Sequence, residues 1–289
     1  MCCTVFPAIL SSTILLAHQI EHEGKRVNVL GYQNHAKNKA YPVTTNAMIL
    51  PIPSAAPMGP QNCIDMTGAE KVFHEYEDCL RPRTRGGFKG VAVAAGPAGD
   101  LQVFESGSYT VLLTKSVNLT ALREAMAALP EDKRLELDFA QAKVFSSFRK
   151  LYPDWHIAIC LWNGEIHPEP LLWWYEPMAE FVGKHFLPGL DAHDGNPPDP
   201  SLKSVPIDHT IVVGAPKERP EWYNNAQSAV EKTPEHLRKW LPSNIYGRLM
   251  QGMQARNGDW VFPTTGWDHN TARNRFNAPR VAPPGYQPA

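Results

Sequence analysis

A cysteine stands second in the chain, in MCCTVF. Removal of Met1 would leave Cys2 with a thiol and a free α-amine on one residue, the arrangement with which N-terminal-nucleophile hydrolases attack amides. Such a nucleophile also needs a lowered thiol pKa and donors aimed at the developing oxyanion. The small side chain of Cys2 permits loss of Met1, and the following TVF suits the strand on which such an enzyme starts. Against this, basic residues do not appear until Lys25 and Arg26, and Cys-Cys replaces the Cys-Gly or Cys-Thr opening of those families. On sequence alone Cys2 reads better as a small apolar residue opening a buried strand.

A second set of candidates lies further on: His167 and Glu169 in HPEP, Asp191, His193 and Asp194 in DAHDG, and the pair Asp208-His209. Imidazole and carboxylate together suit Zn, Fe or Mn, and alternate positions 191 and 193 share one side of an extended segment. His167, Asp191, His193 and His209 are therefore the metal-ligand candidates. Their spacing matches no helical pattern such as HExxH, and DGNPPDP reads equally as an Asp-Gly turn entering a rigid loop. A hydrogen-bonding role is the preferred reading, and no cofactor is expected.

The third feature is LLWWYEP. Adjacent Trp173 and Trp174 in a strand point to opposite faces, so one enters the core and the other must be covered by a loop or a partner. With Trp155, Trp162, Trp222, Trp240, Trp260 and Trp267, aromatic surface is concentrated in the C-terminal half. This favours a protein acting through a protein partner or self-assembly over a small catalytic module.

Composition narrows the class. A chain of 289 residues can bury a sizeable core without disulfides or metals. With Lys+Arg 28 against Asp+Glu 29, nothing electrostatic argues for nucleic acid or an anionic membrane. The apolar run from Thr4 to Ala17 is interrupted by Pro7 and Ser11-Ser12-Thr13 and has no basic residue ahead of it. It is therefore neither a membrane span nor a signal peptide, and the expected compartment is the cytoplasm. The cysteines are odd in number and form no CxxC pair, which argues against a zinc ribbon or a disulfide framework.

The elements that must position these residues follow from periodicity and breakers. Thr13 to Ile20 and Val27 to Gln33 flank EHEGKR, whose Gly24 can take the positive φ of a hairpin turn. NAMILPIPS gives a buried strand ended by Pro51 and Pro53. Val72, Phe73, Tyr76 and Leu80 recur at helical spacing. RPRTRGGFKG reads as a loop lacking P-loop spacing, and Val91 to Ala94 with Leu101 to Glu105 as a hairpin around GPAGD. Tyr109 to Thr114 extends the sheet. Asn118 caps a helix carrying Leu119, Leu122, Met126 and Leu129, and Leu137 to Tyr152 forms a second with a broad apolar face. Trp155 to Trp162 alternates as a strand, Asn163-Gly164 signals a hairpin, and LLWWYEP returns near a sheet edge. His209 to Val213 is a short strand, and Thr233-Pro234-Glu235 opens a short helix. From about Thr264 the chain is polar, proline-rich and aperiodic, an arm expected to order against a partner.

These readings give one α+β domain over 1–263, mostly antiparallel sheet with intervening helices, a possible sub-boundary near 82–90, and an extended tail over 264–289. The segments NAMILPIPS, ESGSYTVLLTKS, LYPDWHIAICLWN, HPEP, LDAHDG and DHTIVV, in that order, resemble an uncharacterised group of bacterial proteins over about residues 2–213. The resemblance implies a shared α+β fold and carries no activity. Function is expected in binding or assembly, with a Cys2-dependent amidohydrolase and a metal-dependent enzyme as the alternatives.

Overall fold

In the computed structural model, residues 2–42, 44–81, 101–166, 168–215, 224–267, 275–277 and 280–288 are described. Their strands are β1 (Cys2–Cys3), β2 (Ala8–His22), β3 (Lys25–Asn38), β4 (Asn46–Ile52), β5 (Cys63–Ile64), β6 (Leu101–Ser106), β7 (Tyr109–Lys115), β8 (His156–Trp162) and β9 (Glu165–Ile166). There follow β10 (Leu171–Tyr175), β11 (Lys184–Leu187), β12 (Asp191–Ala192), β13 (Val205–Ile207), β14 (His209–Gly214), β15 (Asn224–Asn225), β16 (Asn244–Leu249), β17 (Met253–Ala255) and β18 (Trp260–Pro263). The helices are α1 (Val72–Leu80), α2 (Leu119–Ala128), α3 (Phe139–Leu151), α4 (Gln227–Glu231) and α5 (Glu235–Arg238). The class is broadly α+β, weighted toward β.

The β2–β3 hairpin is the spine. Its turn places Glu23 at φ 52° and Gly24 at φ 75°, the twist-matched geometry for a two-residue connection. Pairing runs from His22↔Lys25 to Ala8↔Asn38, with a register shift between Ser11 and Ile14 that bends β2. Around it the larger sheet is ordered β15-β16-β14-β2-β3-β10-β5, and β9 also pairs with β3. The β14–β2 pairing is parallel, and the other pairings in this sheet are antiparallel. A second, antiparallel sheet is ordered β4-β8-β7-β6.

The alternation of β2 divides the core. Ile14 and Leu16 face α1, α4 and α5 with Val29, Leu172, Val212 and Ile245, against Val72, Phe73, Tyr76, Val230, Leu237 and Trp240. Leu15 and Ala17 face the other way, into a core shared with Leu30, Tyr32, the smaller sheet, and Leu122, Val144, Phe145 and Phe148 of α2 and α3. Every residue of β4 and β8 is buried, so the smaller sheet is covered on both faces. The layers run helices, larger sheet, smaller sheet, helices.

The local signals for the helices hold. Asn118 accepts from the Thr120 and Ala121 N–H groups, and Asp138 from those of Ala140 and Gln141. Asp138 moves the start of α3 past Leu137, the position from which the apolar spacing was counted.

Three readings change. Asn163-Gly164 does not close a hairpin: β8 pairs with β4 and β7, while β9, just after the turn, pairs with β3 of the other sheet. The turn is a corner between sheets, because both neighbours of β8 are already taken. Pro51 does not end its strand, since β4 runs on to Ile52 with Pro51 opposite Ile157, whereas LLWWYEP lies near a sheet edge as expected, with only the two-residue β5 outside it. The described part of the stretch from Thr264 is not left free for a partner: Trp267, Phe276 and Arg280 are buried, Val281 bridges Asp259, and the Gly285 N–H donates to Leu151 O. Its aromatics pack on the core without periodicity, since Trp267 stacks on Tyr246 and meets Phe262 and Phe276. The basic loop, the Val91–Ala94 strand and the sub-boundary near 82–90 fall outside the described residues.

Candidate functional site

The chain start and the Asp191 segment meet. β1 pairs in parallel with β12, Cys2 opposite Asp191 and Cys3 opposite Ala192. Cys3 is fully buried, and its thiol hydrogen-bonds to Leu190 O at 3.1 Å. The segment is clamped from the C-terminal part of the chain. Asn257 accepts the Asp191 N–H at 2.7 Å and donates to Asp191 O at 2.9 Å. Buried Asp259 accepts the Gly189 and Leu190 N–H groups and the Tyr152 hydroxyl, the last at 2.8 Å. Arg280, buried beside it, donates from Nε to Gly258 O, and its guanidinium lies 4.4 Å from the centre of the Trp260 ring. His209 also packs on that indole, with ring centres 5.5 Å apart.

The electrostatics follow from burial. Desolvation pushes the Asp259 carboxyl up, opposed by its N–H donors, Tyr152 and Arg280. Asp191 is raised by the same cause, with the nearby His193 opposing it. His209 is held well below the ordinary histidine range by burial and then by nearby positive charge, Arg280 included. Sequence reasoning missed Asn257, Asp259, Arg280 and Tyr152. The signal available was a charged pair, Asp259 and Arg280, flanked by apolar residues in GDWVF and NAPRVAPP.

Of the metal candidates, His167 falls outside the described residues. Asp191, His193 and His209 lie in one neighbourhood, where His193 Nδ1 hydrogen-bonds to Ala8 O at 3.2 Å. Among the described residues, no group of three or more His, Cys, Asp or Glu is placed to hold a metal ion. What the arrangement does is fix the first strand in register against a locked loop.

A cleft of about 660 Å³ opens elsewhere, where β2, β11 and the α5–β16 segment converge. His18 and His185 form its floor, and Arg26, Arg238 and Lys239 stand on its exposed rim. His185 is buried, and its Nδ1 has no hydrogen-bond partner among the described residues. Burial, with His18 nearby, holds its pKa down to about 3, so the ring is neutral. Gly214 lets the His18 ring lie against the end of β14, because a Cβ there would overlap it. Arg238 donates from Nε to Thr233 O at 3.2 Å and from Nη2 to Glu231 O at 2.9 Å, which aims the group without neutralising it. Beside the cleft, Trp174 stacks on Trp240 at 6.2 Å and anchors its own Nε1–H on Gln61 O, while Trp173 is wholly buried. The paired tryptophans thus face opposite ways, and the outer one is covered by this chain.

No family model matches the chain, and comparisons with curated proteins and with solved structures find no match. Among the described residues no helix is long and apolar enough to cross a membrane.

Proposed function

We propose that this is a binding protein whose ligand enters the cleft at β2, β11 and the α5–β16 segment, without a cofactor. The cleft itself carries the reading: about 660 Å³ is the size of pockets that receive small organic molecules, and its lining mixes polar and charged side chains with the apolar Ile20, Leu241 and Pro242. Recognition of a protein partner draws less support, because most of the tryptophans and the described part of the C-terminal stretch that would carry it are buried. The test is a fragment library screened by thermal shift against the native chain and Thr265→Trp, which fills the cleft from its exposed rim. Hits are expected with the native chain and lost with the variant. A library without hits, or hits indifferent to Thr265→Trp, refutes the reading.

A second reading has its own support in the register that sets Cys2 opposite Asp191, beside the locked segment held by Asp259. In it Cys2, freed of Met1, is the nucleophile of an amidohydrolase. Intact mass would show Met1 lost, and mild alkylation would label Cys2 ahead of Cys3, Cys63, Cys79 and Cys160. A protein that keeps Met1 and labels elsewhere first ends this reading.

A further inference from the structure

We propose that the cleft receives the phosphate-monoester group of a small organic molecule, an inference that rests on reading the cleft as a ligand site. Charge is the first argument. Arg26, Arg238 and Lys239 face a single lining carboxylate, Glu21, which Arg26 already meets at 3.2 Å. The excess of two positive charges matches a phosphate monoester, close to a dianion at neutral pH. Among the described residues, neither Arg238 nor Lys239 has a carboxylate within ion-pairing distance.

Geometry is the second. Arg238 is preorganised by its bonds to Thr233 O and Glu231 O, so little side-chain freedom is lost when its remaining N–H groups turn to an oxyanion. Lys239 is held over the Trp240 ring at 4.6 Å. Beneath them lies the buried His185 ring, neutral and so adding no charge to the cationic rim. Ser243 and Asn244 extend the same wall with neutral polar groups. The remaining volume, lined by Ile20, Leu241 and Pro242, leaves room for an organic portion.

The experiment is calorimetric titration of the full chain with inorganic phosphate at pH 7 in chloride buffer of fixed ionic strength. One site is expected, weakened about tenfold or more by Arg238→Gln and by Lys239→Gln, as follows from losing one charge-assisted contact. Lys143→Gln, on the distant α3, should leave it unchanged. Arg238→Lys, which keeps the charge, guards against a folding defect in Arg238→Gln, and thermal melts of each variant report folding directly. Absent phosphate binding, or binding equally strong in Arg238→Gln and Lys239→Gln, overturns the proposal. If fragments still bind and Thr265→Trp blocks them, only the ligand class has failed. If neither phosphate nor any fragment binds, the cleft is not a ligand site at all.

Discussion

Lowering the pH from 7 to 5 should strip roughly 4 kcal/mol from the folded state through two buried histidines. His185 and His156 are both buried, and burial is the main reason their pKa values fall from 6.5 to about 3 and about 4. The neighbouring His18 lowers the first further, and the positive charge of Lys115 the second. For His156 the geometry agrees, because Nε2 accepts the Met58 N–H at 3.2 Å and a protonated ring could not. The sign follows from proton uptake. Both folded values lie below the unfolded one, so the unfolded chain takes up protons first as pH drops through 6.5. Stability complete above that value is lost progressively down to the folded pKa values. At pH 5 each unfolded imidazole contributes roughly 2 kcal/mol to unfolding, while the folded rings remain almost unprotonated. Asp191 and Asp259 act in the opposite sense, since their folded values are raised and protonation then favours the folded state. The readout is therefore a difference between proteins. Urea unfolding followed by tryptophan fluorescence, at pH 7 and pH 5, is compared for the native chain, His185→Gln and His156→Gln. Each variant, though less stable at pH 7, should lose about 2 kcal/mol of the pH-dependent change. If both variants keep the full native difference, the rings are not buried neutral groups and the argument fails.

Asp259→Ala would leave the Gly189 and Leu190 N–H groups and the Tyr152 hydroxyl without their acceptor, and should cost at least about 3 kcal/mol in a denaturant melt. A loss under about 1 kcal/mol would mean that these donors find other acceptors. Truncation before Arg280 removes the Val281–Asp259 bridge and the Gly285–Leu151 bond, so it should lower the melting temperature. An unchanged melt would restore the free-arm reading of this stretch.

What the sequence disclosed and what it hid differ in range. The β2–β3 turn, the Asn118 cap and the apolar faces of α2 and α3 are decided within a few residues and are legible; the Asp138 cap, equally local, is passed over in favour of the apolar spacing from Leu137. Asn163-Gly164 shows the limit of such signals. A turn dipeptide fixes that the chain bends, while the identity of the next partner depends on which sheet edges are still open, and β8 had none. The C-terminal stretch fails for the same reason: it packs single anchors, Trp267, Phe276 and Arg280, into a surface built by other segments, which requires no period.

The same distinction explains why the chemistry at the chain start was half visible and the cleft was not. Cys2, Asp191, His193 and His209 stood out because their residue types are chemically suggestive, and the fold does gather the described ones. Their clamp, Asn257 with Asp259, uses ordinary turn residues whose role exists only once loop 188–191 lies against them. The cleft draws His18 from β2, His185 from β11 and Arg238 from α5, segments with no sequence proximity. Burial then gives His185 its character. An exposed His185 would titrate near neutrality, whereas sealed beside the cleft it is held neutral. The groups stand far apart along the chain, and only the fold brings them to a shared wall.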